Sequence, residues 1–364
     1  MRNTAAFIRC AGIAVLLLLA GCSKIPCYRP AFFSPPAGAK YRAEEVRVPA
    51  SAGHLLAGTL TIPSGGNPPF PAVLLITGSS PQNRDMMGHW AYPVNTYRPF
   101  RQIADRLSTN GIAVLRMDDR GCGCSEGGPL SEATIADRAD DNRAAVDFLR
   151  NRPGIDPSRI GLLGLSEGGT IGPILAASDP SIRALVIMAG CATNGWKIME
   201  HQFRYEIERD EKLTDEEKEK RIRDRMKGLR EWVRAGKANP WVKSFLAYMP
   251  LPTAQKVACP VLILHGDRDA HVPVEHAGYL AQAMRAGGNA DVTVKIFKNV
   301  NHPFLPDTDG RMSGYKKLLR QKKVVPNTVL DTITDWLVDR LAVDGAAKSS
   351  PPVSSVCLSF PGRR

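Results

Sequence analysis

The sequence predicts an α/β protein: a mostly parallel sheet covered by helices on both faces, with a helical cap inserted before the last strands. Three observations carry this. Short apolar runs alternate with amphipathic stretches from residue 72 onward, the rhythm of strand–helix–strand units. The first of these runs, AVLLIT at 72–77, is of the type buried on both faces. One long, highly charged segment at 196–252 carries no strand signal and interrupts the rhythm.

Two strand-like runs, 46–49 and 55–62, come first, followed by a turn-rich break at 64–71. Strand 72–77 leads to a helix over 99–110, ended by Gly111, and then to strand 112–117. In the next helix Ile135, Ala139, Val146 and Leu149 share one face, and Pro153-Gly154 stops it. Strand 159–165, helix 168–178 and strand 183–189 continue the series. After the interruption come strands 260–265 and 292–297 with helix 274–286 between them, and a closing helix over 328–341. Sheets of this kind bind ligands at the carboxyl ends of their strands.

Residues 197–237 hold thirteen basic and eleven acidic residues, a composition suited to helices with solvated faces. Lying between two strands, the segment is expected to project as a cap. Phe203, Tyr205, Trp232, Phe245 and Tyr248 are the apolar members that a lid would turn toward a substrate. The core is therefore expected in two parts, 44–195 and 253–343, with the cap at 196–252 between them.

The first 21 residues read as an address rather than as part of the fold. Arg2 and Arg9 precede a short apolar run, too short to span a bilayer as a mature helix. Leu19-Ala20-Gly21-Cys22 resembles the lipobox of bacterial lipoproteins, which implies cleavage before Cys22 and acylation of that residue. Ser23, rather than Asp, then implies the outer membrane, facing the periplasm. Residues 22–43 read as a tether and 344–364 as a flexible tail. Cys27, Cys122, Cys124, Cys191, Cys259 and Cys357 remain, and their pairing is open, although one intervening residue disfavours a Cys122–Cys124 bridge. Neither a CxxC nor a His cluster at zinc spacing is present, so no metal is expected.

Gly164-Leu165-Ser166-Glu167-Gly168 matches the Gly-x-Ser-x-Gly elbow, in which a tight strand-to-helix turn exposes a serine hydroxyl. Gly123-Cys124-Ser125-Glu126-Gly127 matches it too. Context separates them: Ser166 follows a strand directly and opens a helix-compatible run, whereas Ser125 runs into Gly128-Pro129. Ser166 is therefore the expected nucleophile. It needs a base and an orienting acid, each in a loop after a later strand. His302, in the loop after strand 292–297, is placed for the base, and His271 is the next best histidine. For the acid, the loop at 265–273 offers Asp267 and Asp269.

GLSEGG, HGDRDAHVP and NVNH, in that order along the strands, together resemble the α/β-hydrolase family. In that family the acid is the Asp of an H-G-x-x-D-x-x-V pattern, which falls on Asp269 and leaves Asp267 as a turn residue. ITGSSPQNRD and RMDDRGCGCSEG resemble two loops of an esterase and peptidase-like branch, so Ser125 belongs to a branch loop rather than to the elbow. The likeness runs from about residue 44 to 342. Thr77, Ser80 and Asn83 depart from the branch pattern, which has His, Gly and Asp there, and Cys122 and Cys124 also replace its usual residues.

The resemblance implies a serine hydrolase that cleaves carboxylic esters with Ser166, Asp269 and His302, without a cofactor. The backbone N–H groups of Glu167 and Ser79 are the expected oxyanion donors. A serine peptidase or amidase using the same triad is the nearest alternative, and a non-catalytic binding lipoprotein on the same fold is another. Arg84, Asp85 and Arg120 are expected to brace loops rather than touch substrate.

The formal charge of +12 over 364 residues invites a nucleic-acid or membrane-surface reading. Arg2 and Arg9 leave with the address, and the cap is nearly balanced. A basic cluster remains at Lys316, Lys317, Arg320, Lys322 and Lys323, with Arg363 and Arg364 beyond it. With no nucleic-acid motif beside it, a solvated face is expected, and contact with anionic lipid is the functional alternative. The expected partners are a small ester and the membrane.

Overall fold

Alternate residues along the central strands feed two different cores. In the computed structural model, which describes residues 25–87, 97–320 and 324–342, the strands are β1 (Tyr41–Pro49), β2 (Leu55–Pro63), β3 (Phe70–Ile76), β4 (Ala113–Met117), β5 (Ile155–Leu165), β6 (Ile182–Met188), β7 (Val261–Gly266) and β8 (Val292–Phe297). They form one sheet in the order β1-β2-β4-β3-β5-β6-β7-β8. β1 pairs antiparallel with β2, and β2 with β4; every later pairing is parallel. Parallel neighbours need crossovers, and the helices supply them.

Leu74, Ile76, Leu162, Leu185, Ile187 and Ile263 point to one face, under α2 (Ile135–Arg150), α3 (Gly168–Ser178) and α8 (His276–Ala286). Their neighbours Val73, Leu75, Leu163, Val186 and Leu264 point to the other, under α1 (Pro99–Thr109) and α9 (Asn327–Arg340). A period of two, read from both sides, thus gives a double-sided core. Thr134 starts α2 with a capping box closed by Asp137.

Between β6 and β7 the chain leaves the sheet as α4 (Gly195–Glu208), α5 (Asp215–Arg234), α6 (Pro240–Ala247) and α7 (Pro250–Ala254). This is the expected cap, and it has its own core, in which Met199, Phe203, Met226 and Trp241 meet. Of the five apolar residues expected to face substrate, Phe203 and Trp232 instead belong to that internal core. Tyr205 lies under the Arg209 guanidinium, 3.4 Å from its ring centroid. A helical hairpin must bury apolar side chains between its own members before it can offer any to a site. Among the described residues no helix is long and apolar enough to cross a membrane.

The start of the chain differs from the expected tether. β1 already begins at Tyr41, and Ile25 and Phe33 are buried against the core. Arg98 and Arg84 stand over the rings of Phe32 and Phe33, at 4.0 and 4.2 Å. Cys27 is bonded to Cys124, 97 residues away, while Cys122, Cys191 and Cys259 are free thiols. A Pro- and Ala-rich composition does not reveal such pinning, because two aromatic side chains and one thiol do the work. The address at 1–21, Cys22 and the tail at 344–364 lie outside the described residues, as do Cys357, Lys322, Lys323, Arg363 and Arg364.

Candidate active site

Ser166 sits where β5 ends and α3 is about to begin, with its backbone in the left-handed region at φ +58°. That conformation is costly for a residue with a side chain, and the surrounding contacts hold it. The flanking glycines explain the motif. A Cβ on Gly164 would lie 2.0 Å from the Gly168 carbonyl oxygen, and one on Gly168 would lie 2.1 Å from that of Ile76.

The loops after β7 and β8 bring the other two groups. His302 Nε2 lies 3.0 Å from Ser166 Oγ, and His302 Nδ1 lies 2.8 Å from Asp269 Oδ2. The other carboxylate oxygen of Asp269 accepts the backbone N–H groups of His271 and Val272 at 2.8 and 2.9 Å. Burial alone would raise this carboxyl, but the charge of His302 and hydrogen bonds from His265 and His302 outweigh it. The carboxyl is held well below its ordinary range. Asp267 instead accepts the N–H of Asn299 at 2.6 Å, a turn contact.

The histidines not expected in the triad also matter. His265 Nε2 lies 3.1 Å from Asp269 Oδ2, so the acid is held by a second imidazole. His276 Nδ1 accepts the Ala192 N–H at 3.1 Å, which requires a neutral ring, and burial presses its pKa down to about 4. Asp269, His271 and His302 are a group among the described residues whose donor atoms could meet on one ion, within 4.8 Å of one another. Two of the three are already engaged with each other and with Ser166, which suits proton transfer better than metal binding.

A cavity of about 300 Å³ opens over Ser166. Ser79 and Glu167, the expected oxyanion donors, line it, as do Phe245 and Tyr248 from the cap. Ile198, Met199, Gln202 and Trp241 line it too, together with Met312 and Tyr315 from the segment after β8, and no sequence signal marked these residues. Burial pushes the thiol of Cys191, also in the wall, up to about 12 and keeps it protonated.

The side chain of Glu167 is engaged as well. Its carboxylate pairs with Arg138 Nη1 at 2.9 Å and accepts the Trp241 indole N–H at 3.0 Å, tying the elbow to α2 and to the cap. Arg138 also reaches Thr77 Oγ1 at 3.1 Å, and Thr77 donates to Asp119. Thus Thr77, one of the departures from the branch pattern, is a member of a buried polar network. Burial pushes the Asp119 carboxyl up to about 6 against the opposing pull of Arg138 and Thr77.

The expected braces lie away from the cavity. Arg84 is fully buried between Asp118 and Glu45, Asp85 joins Arg98 and Arg116, and Arg120 grips Asp141 with two nitrogens at 2.6 and 2.7 Å. Ser125 Oγ donates to the Asp118 carbonyl and accepts the Ala57 N–H, both at 2.8 Å.

Known proteins are similar to this chain in sequence and in fold. The esterase EstD of Thermotoga maritima is 26% identical over 291 residues, covering 78% of this chain and 65% of that protein. The thiohydrolase aneE of Aspergillus aculeatus is 41% identical over 83 residues, 23% of this chain and 26% of that one. The chain thus spans less than two thirds of the length of either relative. The solved esterase Pf2001 of Pyrococcus furiosus superposes with a TM-score of 0.55 at 17% identity, covering 87% of this chain and 97% of that one, a likeness of fold. The sequence pattern of the serine aminopeptidase S33 hydrolases matches residues 94–309, over half of the sequence, and the chain belongs to that α/β-hydrolase family.

Proposed function

We propose that the chain is a serine hydrolase that cleaves carboxylic esters through an acyl-enzyme on Ser166. The observation that carries this reading is the continuous relay Ser166–His302–Asp269, at 3.0 and 2.8 Å, opening into a cavity. His302 takes the Ser166 proton as the hydroxyl oxygen attacks the ester carbon, then hands it to the departing alkoxide. Asp269, held ionised, stabilises the imidazolium between those steps. The N–H groups of Glu167 and Ser79 are assigned to the tetrahedral oxyanion, where losing one donor costs about 3–4 kcal/mol of barrier. Water repeats the sequence on the acyl-enzyme and frees the acid.

The family also invites an aminopeptidase reading, which one observation disfavours. A free α-ammonium group needs a carboxylate to meet it. Among the described residues lining the cavity the one carboxylate is Glu167, already committed to Arg138 and Trp241. A graded series of p-nitrophenyl esters, assayed beside aminoacyl amides, tests the choice. Turnover of esters with amides at least about a hundredfold slower is expected, and turnover of amides alone overturns it.

The lipobox at 19–22 supports a further assignment, to the cell envelope through an acylated Cys22. Several acyl chains, each contributing about 0.8 kcal/mol per buried CH₂, would hold the protein firmly to its membrane. Palmitate incorporation should vanish in Cys22→Ala; labelling that persists removes the anchor from the proposal.

A further inference from the structure

The relay uses one histidine, yet the cavity wall holds two. The ring of His271 stacks on that of His302 with centroids 4.6 Å apart, and the ring of Tyr315 lies 5.5 Å from His271. Both line the cavity. His271 Nδ1 is buried without a hydrogen-bond partner, and the buried Tyr315 hydroxyl, whose oxygen faces the backbone N–H of His302, has no acceptor for its own proton. Tyr315 is only 8% exposed. Buried polar groups short of a partner are uncommon because nothing offsets their lost hydration. Two of them, side by side in a substrate cavity, fit a ligand that supplies the missing partners.

Charge narrows the choice of ligand group. Among the described residues no Lys or Arg lines the cavity, and the ionised Asp269 lies close by, so an anion finds no counter-charge. A cation finds no free carboxylate. Burial presses the His271 pKa down to about 3, which leaves a neutral ring. A neutral hydroxyl fits: it accepts from the Tyr315 O–H and donates to an imidazole nitrogen. Position narrows it further. His302 delivers its proton to the departing oxygen, so groups stacked against His302 face the alcohol half of an ester, away from the oxyanion donors.

We propose that His271 and Tyr315 form a subsite for a hydroxyl on the alcohol half of the substrate. The preferred class is then esters of polyhydroxylated alcohols, with a monoacylglycerol as the simplest member. The proposal rests on the ester-hydrolase reading of Ser166. The test compares glycerol 1-butyrate with n-propyl butyrate, which share acyl group and carbon skeleton and differ in two hydroxyls. In the full chain, kcat/KM should favour the glycerol ester by at least about tenfold. Tyr315→Phe should bring that ratio close to one, and a ratio is insensitive to any loss of folded enzyme. A wild-type ratio near one, or a ratio unchanged in Tyr315→Phe, overturns the subsite while leaving the ester reading intact. Turnover of neither ester overturns the ester reading itself, and the subsite with it.

Discussion

Two stretches of this chain spell Gly-x-Ser-Glu-Gly, and they end up as different objects. At 164–168 the pentapeptide joins β5 to α3, its serine forced to φ +58° and its hydroxyl 3.0 Å from a histidine. At 123–127 it is a loop beyond β4 in which Ser125 bonds to two backbone groups of its own neighbourhood and Cys124 is bonded to Cys27. The elbow's two glycines let backbone approach backbone, whereas a Cβ on Gly123 or Gly127 would meet the side chains of Asp118 and His54, at 2.6 and 3.1 Å. A Cβ on Gly121, just before the second pentapeptide, would meet the Gly128 carbonyl oxygen at 2.6 Å. The difference lies immediately C-terminal to each pentapeptide. A helix aims the first serine out of the sheet toward the loops carrying His302 and Asp269, whereas the second serine has backbone on either side.

The largest effect should come from Ser166→Ala, which removes the proposed attacking atom. About a millionfold loss of esterase rate is expected, with no fluorophosphonate labelling. Labelling that survives in this variant would move the nucleophile elsewhere and erase the contrast. Next, Gly168→Ala places a Cβ 2.1 Å from the Ile76 carbonyl oxygen, a clash with backbone that cannot swing aside. A loss of about 3 kcal/mol or more is expected, read as the denaturation midpoint. Gly127→Ala, at φ +95° but with its nearest neighbour a His54 ring atom at 3.1 Å, should cost less, about 1–2 kcal/mol. Equal penalties at the two glycines would show that the elbow is no tighter than the loop. The smallest effect belongs to Ser125→Ala. It strands the Ala57 N–H and the Asp118 carbonyl for about 1 kcal/mol, and fluorophosphonate labelling should remain.

The same contrast shows what a sequence makes legible. Strands such as 72–77 and 183–189 announce themselves because burial on both faces demands unbroken apolar residues, and each falls within a residue or two of β3 and β6. The order of Ser166, Asp269 and His302 was readable because each follows a recognisable strand. The cavity walls were not. Trp241 lines the cavity because Glu167, 74 residues earlier, holds its indole, and Tyr315 follows a stretch with no periodic signal. His265 reads as a strand terminus, yet it supports Asp269 through a contact only the folded chain creates. Local patterns encode elements; pairings between distant side chains depend on how those elements meet. The start of β5 at Ile155, four residues before its apolar run, is a mild case: its first residues pair at an irregular register beside Phe70.

With the proposed acyl anchor at Cys22, the Cys27–Cys124 bond would fix the length of a leash. Read as a free tether, residues 22–43 would let the catalytic domain roam up to about 75 Å from an anchor at Cys22. Pinned at Cys27, only five residues on, the paying-out distance falls to about 18 Å. The loop that spells a second nucleophile motif would then be the mooring point that keeps the enzyme skimming its membrane. Its reach would be confined to what the lipid surface itself presents.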